Sequence, residues 1–335
     1  MSDRLANSPF AKRFGLTTPI ALAPMALASG GELAAACAKA GALGLIGGGY
    51  GDPGWTQREY GIAAQALSTQ PEAAAQLGCG FITWRMKEDR SALDYVLDRE
   101  RPPAAIMLSF GDPSELARDI VARGVPLICQ IQTMAQLPQA VDAGASVIVG
   151  QGVEAGGHGM KSAQGRSTFT FVPEIADWLA AHAPHVDLLA AGGVADGRGL
   201  AAAMTLGADG ALIGSRLWAT QESLAADAAI AEAVQAGGDD TARSGVFDIL
   251  REKNWPAEYD FRALRNALHR KWENRLDELR ADPEAAIADY KAGVAAQDYS
   301  RAHVTVGEGT GLISENASAT QVIEAITYQA GNFFR

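Results

Sequence analysis

From Pro19 to Ile213 the chain alternates short apolar runs with longer stretches in which polar residues recur at helical spacing. The apolar runs are rich in β-branched residues and read as buried strands. They are Pro19–Ala23, Ala42–Ile46, Gly80–Trp84, Ala104–Ser109, Val125–Gln130, Val147–Val149, Val186–Ala190 and Gly210–Ile213. Between them the pattern predicts helices over Gly31–Ala40, Thr56–Leu67, Ser91–Arg99, Met134–Ala143 and Val172–Ala183, with Ala202 in mid-helix. Pro113 opens one more helix at a position where proline is tolerated. Strands alternating with helices at short spacing mean a parallel sheet. Eight strands favour a closed (β/α)8 TIM barrel over an open doubly wound sheet. The joints Ala40–Gly47, Ala143–Gly150 and Leu206–Gly214 echo one another: a helix stops at glycine, a strand follows, and glycine ends it.

Beyond Asp239 the texture changes. Trp255, Tyr259, Phe261 and Trp272 are mixed with charges as far as Ser300, which predicts a helical C-terminal extension on the barrel mouth. The expected division is residues 14–223 plus 301–335 for the barrel and 239–300 for the extension. Gly307–Gly311 reads as a flexible turn and Ala319–Gln329 as a terminal helix.

Charge narrows the partners. The net charge of −11 argues against nucleic acid. Cys37, Cys79 and Cys129 are far apart, with no CxxC pair, which fits buried thiols in a reducing compartment and no zinc site. Met1–Phe10 has no long apolar run and no span reaches membrane length, so the expectation is a cytoplasmic protein that engages no membrane.

In such a barrel the chemistry sits at the C-terminal strand ends. The sixth strand runs into Gly150–Gly159, with five glycines in ten positions, together with Gln151, Glu154 and His158. Glycine lets backbone lie against a ligand, and histidine exchanges a proton near neutral pH. His158 is therefore the catalytic candidate; a purely structural histidine is the competing reading. Glu154 is expected to serve the loop's own structure, and Asp196 to cap a helix. Ala191–Gly197 and Gly214–Arg216 follow strands seven and eight, the usual place for phosphate, with Ser215 as an added donor. A phosphorylated cofactor such as FMN fits, its ring over Met25 and its polar edge near Gln130 and Gln151. No GxGxxG follows the first strand, which argues against a dinucleotide fold. Trp84 and Phe110 are candidates for the pocket wall.

Three motifs together resemble the nitronate monooxygenase family, once called 2-nitropropane dioxygenases. They are Gln151–His158, Ala191–Gly197 and Gly207–Arg216, and Pro19–Met25 is similar to the family's opening strand. The likeness covers about Phe14–Ser223, with a weaker match at Gly307–Ile313. It implies an FMN-dependent TIM barrel in which Gln151 and Gly156 contact the flavin. Gly193, Leu212, Ile213, Gly214 and Ser215 would hold its ribityl phosphate. The cofactor site expected as a whole is Ala23, Pro24, Met25, Thr83, Gln130, Gln151, Gly156, Gly157, Gly192, Gly193, Leu212, Ile213, Gly214 and Ser215. His158 matches the histidine that takes the α-proton of a neutral nitroalkane in some members; in others only the preformed nitronate reacts. The implied reaction passes an electron to FMN, joins O2 to the substrate and releases a carbonyl compound and nitrite, with no metal. Thr83 stands where many members have a flavin-contacting asparagine. The competing expectations are an NAD(P)H-dependent flavin oxidoreductase acting on a quinone or enoyl thioester, and a non-catalytic flavin-binding protein. Expected partners are a small-molecule substrate and O2, with a homodimer left open.

Overall fold

Eleven strands organise the computed structural model, which describes residues 3–334. They are β1 (Ile20–Leu22), β2 (Gly44–Gly49), β3 (Leu77–Ile82), β4 (Ile106–Ser109), β5 (Leu127–Ile131), β6 (Val147–Gln151), β7 (Gly157–Met160), β8 (Asp187–Ala191), β9 (Gly210–Ile213), β10 (Thr241–Ser244) and β11 (Tyr259–Leu264). Eight of them form one parallel sheet in the order β1-β9-β8-β6-β5-β4-β3-β2. The two ends meet at a bridge between Ala21 and Leu43, where Leu22 N–H donates to Leu43 O and Leu43 N–H to Ile20 O, both at 2.9 Å. The sheet therefore closes on itself as the expected TIM barrel.

Strand alternation sorts the core into two layers. Ala21, Leu45, Met107, Ile128, Val149, Leu189 and Leu212 fill the interior with Phe10, which comes from the helix Pro9–Phe14. Their neighbours along the strands, such as Ile20, Ile46, Ile148, Leu188 and Ile213, pack outward against the helices.

Two barrel strands differ most from expectation. β2 runs on through Gly47–Gly49, and β3 starts at Leu77 and ends at Ile82. Glycines carry no hydrophobic signal, yet they are required here: a Cβ on Gly80 would lie 2.3 Å from Pro24 Cγ. Thr83 and Trp84, expected to end the third strand, instead open the short helix Thr83–Met86.

The extension carries helices, among them Val246–Leu250, Ala267–Trp272, Leu276–Ala281 and Glu284–Ala295. It also carries two strands that were not expected. β10, β11 and β7 form an antiparallel sheet in which Phe261 pairs with His158 and Arg262 with Gly157. The second half of the glycine stretch is thus a strand, not a loop. The extension has its own core of Val246, Phe247, Leu250, Leu268, Leu279 and Tyr290. The segment expected as a flexible turn is a 3-10 helix, Glu308–Leu312, pinned by the buried Thr310, whose hydroxyl donates to Ala233 O at 2.8 Å. The terminal helix runs Ala319–Asn332 behind the Ser318 cap. No described helix is long and apolar enough to cross a membrane.

Candidate active site

The C-terminal strand ends and the extension enclose a cavity of about 720 Å³. His158 and every residue of the expected cofactor site border it except Thr83 and Ile213. Thr83 is buried, and as the first residue of a helix it turns its side chain out of the lining. Ile213 belongs to the outward layer, because strand alternation gives the inward position to Leu212. Phe110 borders the cavity and Trp84 does not; both pack edge-on against Trp255, with ring centroids 5.0 and 5.5 Å away.

His158 is held on three sides. Its Nε2 lies 2.8 Å from Asp248 Oδ1, and both side chains are buried. Trp255 stacks on its ring at 3.4 Å between centroids and 12° between planes. Phe261, its strand partner, packs at 4.7 Å. A carboxylate acceptor at Nε2 puts the ring proton there and leaves the lone pair on Nδ1. Burial pushes the imidazole pKa down to about 4, outweighing the pull of Asp248, with Arg251 and Arg243 adding to the depression. His303 also borders the cavity. Its Nδ1 is 2.7 Å from Tyr290 Oη, and burial, helped by Arg251, lowers it to about 3.

The polar floor is a chain of amides. Gln130 Nε2 and Gln132 Nε2 donate to Gln151 Oε1 at 2.9 and 3.1 Å, and Gln151 Nε2 donates to His158 O at 3.2 Å. Another part of the lining is backbone. Gly192 and Gly193 have φ of +100° and +77°, a conformation that side chains resist. Among the described residues the N–H groups of Gly193, Val194 and Gly214 donate to no protein acceptor. Ser215 Oγ accepts from Gly307 N–H at 2.8 Å, which brings the C-terminal segment to this wall. Glu154 accepts from Thr168 N–H and Oγ1, at 3.0 and 2.9 Å, so its carboxylate serves the loop. Asp196 caps the helix Gly197–Thr205.

Comparison with known proteins agrees with this geometry. The family model for nitronate monooxygenase matches residues 60–329. The chain belongs to the nitronate monooxygenase family. It is 30% identical to the nitronate monooxygenase of Neurospora crassa, over 92% of this chain and 88% of that one. It is 32% identical to nitronate monooxygenase npaC of Metarhizium robertsii, over 92% and 89%. Among solved structures it is similar to FabK from Thermotoga maritima, with a TM-score of 0.82 and 25% identity over 98% and 97% of the two chains. Members of this family are flavin-dependent oxidoreductases, and this chain is such an enzyme.

The extension supplies residues that sequence reasoning missed. Asp248, Arg251 and Trp255 come from it. So do the half-buried Arg243 and the buried Arg262, whose guanidiniums are clamped on the glycine loop. Arg243 donates to the carbonyls of Ala155 at 2.7 Å and Gly157 at 3.1 Å, and Arg262 to that of Val153 at 3.1 Å. One signal was available: Tyr259, Phe261 and Ala263 alternate with Asp260 and Arg262, the period-two mark of a strand.

Proposed function

We propose that this chain uses FMN and O2 to oxidise alkyl nitronates to a carbonyl compound and nitrite. The single observation that carries the reading is the placement of His158: buried, bonded to Asp248, and on the wall of a cavity that is also lined by unpaired glycine backbone.

The residues present suit FMN. The volume is that of a cofactor-and-ligand pocket. The free N–H groups of Gly193, Val194 and Gly214, with the Ser215 hydroxyl, offer donors to a phosphate dianion. A Cβ on Gly192 would crowd Gly152 O, Ala155 N and Thr168 Oγ1 at 3.1 Å, and a side chain on Gly192 or Gly193 would strain a backbone held at positive φ. Gln130, Gln151 and the backbone of Gly156 and Gly157 are the groups for the ring's polar edge, and Ala23, Pro24 and Met25 supply an apolar face. When bound, the flavin supplies the electron acceptor.

The protein's own residues then place the substrate and exclude water. His158 receives or returns a proton at Nδ1, and Asp248 stabilises the charged ring that results. An imidazole held near 4 is a weak acceptor for a carbon-bound proton at neutral pH. That favours the preformed nitronate over the neutral nitroalkane. Free, buried Cys37, Cys79 and Cys129 support a cytoplasmic setting.

The test is nitrite release from FMN-loaded protein mixed aerobically with ethylnitronate or propionate 3-nitronate. Nitrite formed in step with O2 consumption is the expected result; none rejects the reading. Rapid anaerobic bleaching of the flavin by NADH or NADPH, without nitrite formation in air, would point to the reductase instead.

A further inference from the structure

We propose that Arg251 is an anion-binding group in the substrate half of the cavity, and that the substrate is held there by an oxyanion. This rests on the nitronate reading and names the group that would recognise such a substrate.

The chain is strongly acidic overall, at −11, but its cavity is not. Arg251, Lys253 and Lys291 border it, and among the described residues the only carboxylate in the lining is Glu154, which is engaged by Thr168. The two lysines are exposed and occupied: Lys291 pairs with Glu252 at 2.5 Å, and Lys253 lies 4.8 Å over the Tyr50 ring. Arg251 differs. Its Cζ sits 4.6 Å from the centre of the Phe261 ring, and its Nη1 is buried with no hydrogen-bond partner. Among the described residues no carboxylate forms an ion pair with it, and Asp248, three positions back, is taken by His158.

A sheltered donor without an acceptor is costly, and an anion entering the cavity removes that cost. The planar fork of a guanidinium matches two coplanar oxygens, which both a nitronate and a carboxylate present. The position is right for a reacting group. The ring under Arg251 also packs against His158 at 4.7 Å and His303 at 5.8 Å. Both histidines are held neutral near pH 7, so Arg251 is the fixed positive charge beside them. Lys253 and Lys291 at the rim would draw anions inward.

The oxyanion has two possible sources, the nitronate group itself or a carboxylate elsewhere in the substrate. The experiment uses FMN-loaded wild type, Arg251→Met and Arg251→Lys, each checked for flavin content and circular dichroism. Inert nitrate and propionate are titrated by calorimetry, and KM is measured for ethylnitronate and propionate 3-nitronate. Expected is binding of at least one inert anion to wild type, weakened about tenfold or more in Arg251→Met and less in Arg251→Lys. A KM raised for both substrates assigns the nitronate oxygens; one raised for propionate 3-nitronate alone assigns the carboxylate. No inert anion bound by wild type, or unchanged binding and KM in a folded Arg251→Met, overturns the proposal. Arg251-dependent anion binding in a protein that releases no nitrite would keep the anion site and reject the nitronate reading.

Discussion

Asp248 Oδ1 lies 2.8 Å from Nε2 of His158, across 90 positions of sequence. The contact joins strand β7, which follows the barrel's sixth strand, to the helix Val246–Leu250 of the extension. It decides which nitrogen of His158 is free, and it gives the charged ring a counter-ion in a buried place.

Replacing either residue should therefore affect proton handling more than flavin retention. His158→Ala is expected to slow the residual turnover of a neutral nitroalkane by about 10²-fold and that of a preformed nitronate much less, and Asp248→Asn by about tenfold. FMN affinity should stay within about threefold in both, since other residues carry that site. Steady-state nitrite assays and flavin-fluorescence titration check this. Loss of FMN with normal turnover per bound flavin would make the pair structural.

Trp255 covers the imidazole face, so Trp255→Ala should let water reach His158. The His158 pKa is expected to climb from about 4 toward 6.5, read from its ring proton shifts by NMR. Stability should fall by about 2 kcal/mol, below the full cost for a buried tryptophan because Trp255 is only half-buried. An unmoved pKa would mean that the stacking does not govern the burial of the ring.

Acid should destabilise the fold before its surface carboxylates titrate. His158 and His303 have folded pKa values of about 4 and 3 against 6.5 in the open chain. Between those limits the unfolded chain binds protons that the folded chain does not. Stability is therefore complete above pH 6.5 and is lost as pH falls toward 4. The loss from His158 is on the order of 3 kcal/mol. Asp209, raised to about 6 by burial, acts in the opposite direction below pH 6 and trims the slope. Urea midpoints at pH 7, 6 and 5 measure the effect. His303→Gln should flatten the curve; an unchanged slope would remove His303 from the account.

Two glycines of the site should fail in different ways. A Cβ on Gly156 would lie 2.5 Å from Gly307 N and from Val306 C, both backbone atoms that cannot rotate away. Gly156→Ala should push the C-terminal segment off the glycine loop and cost about 1–3 kcal/mol. Gly193 has open space, its nearest neighbour being 3.7 Å away, but a φ of +77°. Gly193→Ala should cost about 1 kcal/mol through strain and weaken FMN binding through its displaced N–H. Thermal shift and FMN titration separate the two. An unchanged FMN affinity in Gly193→Ala would take that N–H out of the phosphate cradle.

The barrel could be read from sequence because a buried parallel strand writes its burial into a few consecutive residues. Val147–Val149 and Gly210–Ile213 needed no partner to be recognised, and the glycines after them marked the mouth. Gly47–Gly49 hid the last half of strand β2 because only close packing gives glycine a reason to be there. Thr83 and Ile213 marked the limit of motif position: each is at a strand end, but whether a side chain faces the cavity depends on a helix start or on one step of strand alternation. The surroundings of His158 were decided by the tertiary structure alone. Local periodicity records which face of an element is buried, not what covers it. Asp248, Arg251, Trp255 and Phe261 reach the imidazole because β11 pairs with β7, a match of two distant segments that neither carries by itself.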